Sequence, residues 1–212
     1  MRRTRIKVCG ITRQADAETA CAAGADALGF VFWPASPRAI GPDCASAIVR
    51  ELPPFVTPVG VFVNQPVDEI NAIVARVGLH AVQLHGDESI GVWTQVSVPV
   101  IKAVGVSCDM APNLLAAWPR AVLPLLDAAD FERRGGTGRT IDWRLAAAIS
   151  RGRAVVLAGG LCPENVEEAV RLVRPFAVDV SSGVEESPGV KDAARIRAFA
   201  VGVLRADTYQ ES

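Results

Sequence analysis

Two side chains of different acidity close two apolar runs, and as a pair they could move protons. Cys9 ends the first run in KVCGIT, and Asp127 ends a later one, AVLPLLD. A thiolate takes up a proton and a carboxyl group supplies one, so the pair suits general base and general acid. Each residue also has an ordinary reading. A free cysteine packs as a small apolar side chain, and an aspartate after a strand caps a turn or helix. Arg38 stands in WPASPRAI, a loop stiffened by Pro34 and Pro37. Its guanidinium is either a fork for a carboxylate or a solvated surface group. His85, in VQLHG, is either a pocket group or a satisfied histidine at the rim, and His80 reads as structural.

A second set of residues binds rather than reacts. The chain runs AVVLAGGLCPENV and then AVDVSSGVEESPG. Twice an apolar run ends in small residues and gives way to a polar segment that starts a helix. Gly159-Gly160 and Ser181-Ser182-Gly183 would present backbone N–H groups there, backed by the positive end of a helix dipole, as a phosphate dianion requires. Each turn alone could be an ordinary strand-to-helix connection. Cys9 would share their positive potential, which favours thiolate. Between the sixth and seventh runs lies ERRGGTGR. Its glycines either form a loop that folds over a ligand, adding N–H groups of Gly136, Thr137 and Gly138, or a surface loop without a role.

The elements that must position these residues alternate along the chain. Strand-like runs occupy Arg5–Cys9, Ala27–Phe32, Pro58–Val63, Ala81–Leu84, Val98–Val104, Ala121–Leu126, Ala154–Ala158 and Phe176–Val180. Several are apolar throughout, as in a parallel sheet covered on both faces. Between them lie helical patterns, including Asp16–Ala23, Val67–Val77, a segment opened by Pro163, and a closing helix over Lys191–Leu204. Eight such units in 212 residues fit one α/β domain, a single (β/α)8 TIM barrel over residues 1–206, with 207–212 as a frayed tail. In that fold the strand ends face the site, and the turns after strands seven and eight hold phosphate. Strands seven and eight separate strand one from strand six, so Cys9 and Asp127 would flank an anchored sugar phosphate. Asn64 falls at another strand end.

Composition excludes several classes. Net charge is −1 with scattered basic residues, which gives no nucleic-acid footprint. Arg2, Arg3 and Arg5 precede no apolar leader, and no apolar run approaches the roughly 20 residues that span a bilayer. Five cysteines, Cys9, Cys21, Cys44, Cys108 and Cys162, are odd in number, widely spaced and without a CxxC pair. That speaks against a disulfide framework or structural zinc and for a reducing cytoplasm. Cys21 and Cys44 fall in helices and read as packing residues.

KVCGIT, SPRAI, VGVFVN, VQLHGDE, LLDA followed by GGTG and DW, LAGGLCPENV and VDVSSGVEESPGVKD occur in that order. Together they resemble the phosphoribosylanthranilate isomerases of tryptophan biosynthesis. The resemblance implies an Amadori rearrangement of N-(5-phosphoribosyl)anthranilate to 1-(2-carboxyphenylamino)-1-deoxyribulose 5-phosphate, without metal or organic cofactor. It implies Cys9 as general base, Asp127 as general acid and Arg38 on the anthranilate carboxylate. The glycines of GGTG and AGG and the serines of SSG would bind phosphate. Cys162 and Val190 depart from the commoner pattern. The partner implied is a small phosphorylated substrate, for a monomer or a homodimer. Two rivals stand beside this reading. One is the related histidine-pathway sugar-phosphate isomerase, which typically uses two aspartates. The other is a non-catalytic barrel that senses a phosphorylated metabolite, which would need the turns but not the Cys9–Asp127 pair.

Overall fold

Eight parallel strands close into a ring in chain order in the computed structural model, which describes residues 3–106, 114–128 and 141–208. They are β1 Arg5–Cys9, β2 Ala27–Val31, β3 Thr57–Phe62, β4 Ala81–Leu84, β5 Val100–Val106, β6 Leu123–Ala128, β7 Val156–Leu157 and β8 Ala177–Val180. The ring closes through β1 and β8, where Lys7 pairs with Asp179 and Val8 with Val180. Around it run α1 Gln14–Ala22, α2 Pro42–Arg50, α3 Val67–Val77, α4 Ile90–Trp93, α5 Trp143–Ser150, α6 Val166–Val173 and α7 Ala193–Thr208. The (β/α)8 barrel read from the sequence is thus the observed fold. No helix among the described residues is long and apolar enough to cross a membrane.

Strand alternation divides the side chains into two cores. Outward-facing Leu28, Phe30, Phe62 and Leu157 pack with Ile70, Val170 and Phe199 of the helices. Inward-facing Leu125, Val156 and Ala177 plug the barrel floor, with Ala158 packed on them. Above that floor the same inward rows carry Lys7 and Cys9 on β1, Gln83 on β4, Asp127 on β6 and Asp179 on β8, all buried. Polar groups therefore share the upper half of the barrel, toward the C-terminal ends of the strands, with Val31 and Val61.

Several boundaries move. β5 and β6 lie two residues further along than the apolar runs suggest, and β7 shrinks to two residues. After β8 a 3₁₀ turn, Ser182–Val184, leads into a ribbon of β9 Glu185–Ser187 and β10 Val190–Lys191, turned at Pro188-Gly189. Lys191 therefore belongs to this ribbon and not to the last helix. That helix continues through Thr208, so Asp207 and Thr208 are not tail. The Asp207 carboxylate accepts from Thr4 N at 2.8 Å and from Thr4 Oγ1 at 2.7 Å, docking the helix end against the start of β1. Residues 209–212 lie outside the described residues. Cys21 packs on the core as expected, but Cys44 is exposed.

Candidate active site

A cavity of about 460 Å³ opens at the C-terminal ends of the strands. That is within the range of small-molecule sites, roughly 300–1,000 Å³. Cys9, Arg38, His85, Asp127, Gly159, Gly160, Ser181 and Ser182 all line it. Gly183 does not. A Cβ there would collide with the Leu161 carbonyl, so Gly183 instead lets the turn after β8 pack against the turn after β7. Gly136, Thr137 and Gly138 lie outside the described residues. Asn64 is absent from the lining, and its side chain accepts from Asp87 N at 2.7 Å.

The turn after β7 is held by Asn165. Its Nδ2 donates to Gly160 O at 3.0 Å and its Oδ1 accepts from Cys162 N at 2.9 Å. Gly159 adopts φ +76, a left-handed conformation that favours glycine. It packs so closely on β6 that an added Cβ would lie 2.8 Å from Ala128 N and 3.2 Å from Asp127 Oδ1. The phosphate-type turn thus abuts the carboxyl group of Asp127.

That carboxyl is fixed on both oxygens. Oδ1 accepts from Ala128 N at 2.8 Å, and Oδ2 lies 3.1 Å from His85 Nε2. Gln83 Nε2 in turn sits 2.8 Å from His85 Nδ1, while its Oε1 is buried without a hydrogen-bond partner. The choice left open for His85 resolves in favour of the pocket. Which nitrogen carries hydrogen depends on the edge that the Gln83 amide presents. With Nε2 of the amide toward the ring, the imidazole donates to an Asp127 carboxylate. With the amide turned, Oε1 gains a partner and the imidazole can accept from a protonated Asp127.

Arg38 is neither solvated nor empty-handed. Its Nε and Nη2 donate to Glu185 Oε1 and Oε2 at 2.9 and 2.7 Å. This raises the guanidinium above its ordinary value and, with Lys191, holds Glu185 low despite burial. Two of the five N–H groups of Arg38 are engaged in this pair, which leaves donors for a ligand. Lys191 has a fully buried side chain. Its ammonium donates to Cys9 O at 2.6 Å, Glu185 Oε1 at 2.8 Å and Ser181 O at 3.2 Å. Burial pulls its pKa down, and Glu185 restores only part.

Cys9 departs from expectation in one respect. Burial pushes its thiol above the ordinary value, against the pull of Lys7 and Lys191, whereas the sequence suggested a depressed thiol. A thiolate loses solvation inside the barrel, and that outweighs the nearby cations.

Sequence reasoning missed Lys7, Gln83, Asp179, Glu185 and Lys191, and also Trp33, which lines the cavity. A signal existed for two of them. AVDV carries one charge, Asp179, in an otherwise apolar strand, and RIKVC carries a charge of opposite sign, Lys7, inside the strand beyond the Arg5 at its start.

A family model described as N-(5'phosphoribosyl)anthranilate (PRA) isomerase matches residues 6–201. The N-(5'-phosphoribosyl)anthranilate isomerase of Nitrosococcus oceani is 50% identical over 202 residues, covering 95% of this chain and 98% of that one. The crystal structure of phosphoribosyl anthranilate isomerase from Thermus thermophilus superposes with a TM-score of 0.87 at 44% identity, covering 95% of this chain and 98% of its own. A phosphoribosyl anthranilate isomerase solved with reduced 1-(o-carboxyphenylamino)-1-deoxyribulose 5-phosphate gives 0.82 at 45% identity over the same shares. A thiol and a carboxyl facing one cavity beside two phosphate-type turns are what the resemblance in the sequence implied, and on these matches the chain belongs to the N-(5'-phosphoribosyl)anthranilate isomerase family.

Proposed function

We propose that the protein isomerises N-(5-phosphoribosyl)anthranilate to 1-(2-carboxyphenylamino)-1-deoxyribulose 5-phosphate, with Asp127 as general acid and Cys9 as general base. The observation that carries this reading is the shared cavity: Cys9 from β1 and Asp127 from β6 line it together with the turns after β7 and β8. The turns anchor the phosphate and Arg38 meets the anthranilate carboxylate. Asp127 protonates the furanose ring oxygen, which opens the ring to a Schiff base. The Cys9 thiolate then removes the C2′ proton, which the iminium has made acidic, and the enolamine tautomerises to the ketone. The substrate's own nitrogen serves as electron sink. With the Gln83 amide nitrogen on its Nδ1, His85 donates from Nε2 to the Asp127 carboxylate that the proton transfer leaves.

Because the thiol is held high by burial, its proton-accepting form is the minor one in the free protein. Each proton transfer contributes about 10²–10⁴-fold when the group is positioned. On this reading the substrate is a small phosphorylated molecule, and the protein acts in the cytoplasm as a monomer or homodimer. The test is to supply N-(5-phosphoribosyl)anthranilate and follow the loss of its anthranilate fluorescence. Turnover by the protein, lost in Cys9→Ala and in Asp127→Asn, supports the reading. A protein that binds the compound without consuming it would be a sensor, and the assignment would fail.

A further inference from the structure

We propose that Lys7, anchored by Asp179, is a positioning residue that keeps a cation against the sulfur of Cys9 and so maintains that sulfur's capacity to accept a proton. The inference rests on reading Cys9 as the base.

Lys7 and Cys9 stand two residues apart on β1, so both project into the barrel. Lys7 is 3% exposed. Its register partner on β8 is Asp179, and Nζ donates to Asp179 Oδ1 at 2.8 Å. On the other side Cys9 pairs with Gly29 of β2. Gly29 leaves the space the two groups need: a Cβ there would lie 2.8 Å from Cys9 Sγ and 3.1 Å from Lys7 Nζ. Sulfur and ammonium therefore converge on one point inside the barrel. Asp179 lines the same cavity as Cys9 and Asp127, which places the pair beside the reacting groups.

A buried ion pair is a poor device for stability, because an apolar pair of similar volume commonly does as well or better. Its place beside the thiol calls for another reason. The charged groups facing Cys9 are Lys7 from β1, Asp179 from β8, Lys191 from β10 and Arg38 from the loop after β2. Arg38 and Lys191 share the one carboxylate of Glu185, and Lys191 directs its hydrogens to Cys9 O, Ser181 O and that carboxylate, not to the sulfur. Lys7 has one hydrogen-bonded carboxylate among the described residues, and an ammonium carries three hydrogens. Burial works against its charge, but Asp179 and Cys9 more than offset this and hold the ammonium above its ordinary value. Lys7 is thus a permanent cation at the thiol, and Asp179 fixes it in place while moderating its pull.

The two members of the pair act on Cys9 with opposite sign, which separates this role from a purely structural one. The readout is the pH titration of Cys9 thiolate by ultraviolet absorbance in the free protein, taken as the difference from Cys9→Ala to remove the other cysteines. Lys7→Met is expected to move the Cys9 titration to higher pH by about 1–3 pH units, and Asp179→Asn to move it to lower pH. Where Lys7→Met leaves Asp179 unpaired and fails to fold, the double variant Lys7→Met/Asp179→Asn is compared with Asp179→Asn alone, and must titrate at the higher pH. A Cys9 titration that stays in place, or moves the same way in both single variants, overturns the proposal. Cys9→Ala retaining turnover would instead overturn the reading of Cys9 as the base, and the titration would still report on Lys7.

Discussion

Replacing Gly159 by alanine tests whether the turn after β7 and the acid on β6 form one unit. Two costs follow from the structure. Alanine must adopt φ +76, which costs about 1–2 kcal/mol for an L-residue. Its Cβ must also stand 2.8 Å from Ala128 N, a backbone atom that cannot swing aside, and forced overpacking of this kind costs about 1–3 kcal/mol. Together these amount to about 2–5 kcal/mol, a fall in Tm of about 4–20 °C for a domain of this size. The displaced atoms are those that orient Asp127, since Ala128 N donates to its Oδ1. A shift of about 1 Å in a reacting group costs on the order of 10²-fold in kcat. Gly24→Ala is the control. Gly24 has φ +90 and nothing within 4 Å of an added Cβ, so it carries the backbone cost alone. Thermal unfolding by circular dichroism and turnover by fluorescence read both variants. If Gly159→Ala melts no lower than Gly24→Ala and turns over at the parent rate, the coupling of turn and acid is wrong.

Cys9→Ala and Asp127→Asn should each lower kcat by about 10²–10⁴-fold with KM within roughly tenfold, measured by steady-state kinetics. Arg38→Ala should mainly raise KM, and an unchanged KM would remove Arg38 from substrate binding. Alkylation of Cys9 by iodoacetamide, followed by peptide mass, should accelerate about tenfold per pH unit and still be climbing past pH about 8.5, because burial holds the thiol up and thiolate is the reacting form; a rate that levels off near neutrality would contradict that. Asp207→Ala should lower stability by about 1–3 kcal/mol in denaturant unfolding without changing kcat, since it strips Thr4 N and Thr4 Oγ1 of their acceptor far from the cavity.

The barrel was legible because its strands are covered on both faces, and runs such as AVQL and ALGFV therefore stay apolar nearly throughout. β9 and β10 were not, because strands of three and two residues show no usable periodicity; only Pro188-Gly189 marked the turn. At the site, Cys9, Asp127, Arg38 and His85 could be found because each stands at a strand end or in the loop just beyond one. Lys7 and Asp179 show in the sequence only as charges within their strands, and their pairing spans 172 residues; Glu185 and Lys191 matter through Arg38 and Cys9, 147 and 182 residues away. The pKa of Cys9 was misread for a related reason: cations can be guessed from motifs, while the depth of burial that outweighs them belongs to the packed barrel.

The ammonium of Lys191 bonds the end of β1, the turn after β8 and the carboxylate that grips Arg38. On the proposed reading, with Arg38 at the carboxylate and the turn after β8 at the phosphate, recognition at the two extremities of the substrate is wired through a single cation. Binding energies lost by truncating Arg38 and by altering Ser181 should then fail to sum in a double-mutant cycle, and the discrepancy should vanish once Lys191 is gone. Such a result would mean that the mouth of this barrel reads its ligand as a whole molecule, not as a set of independent handles.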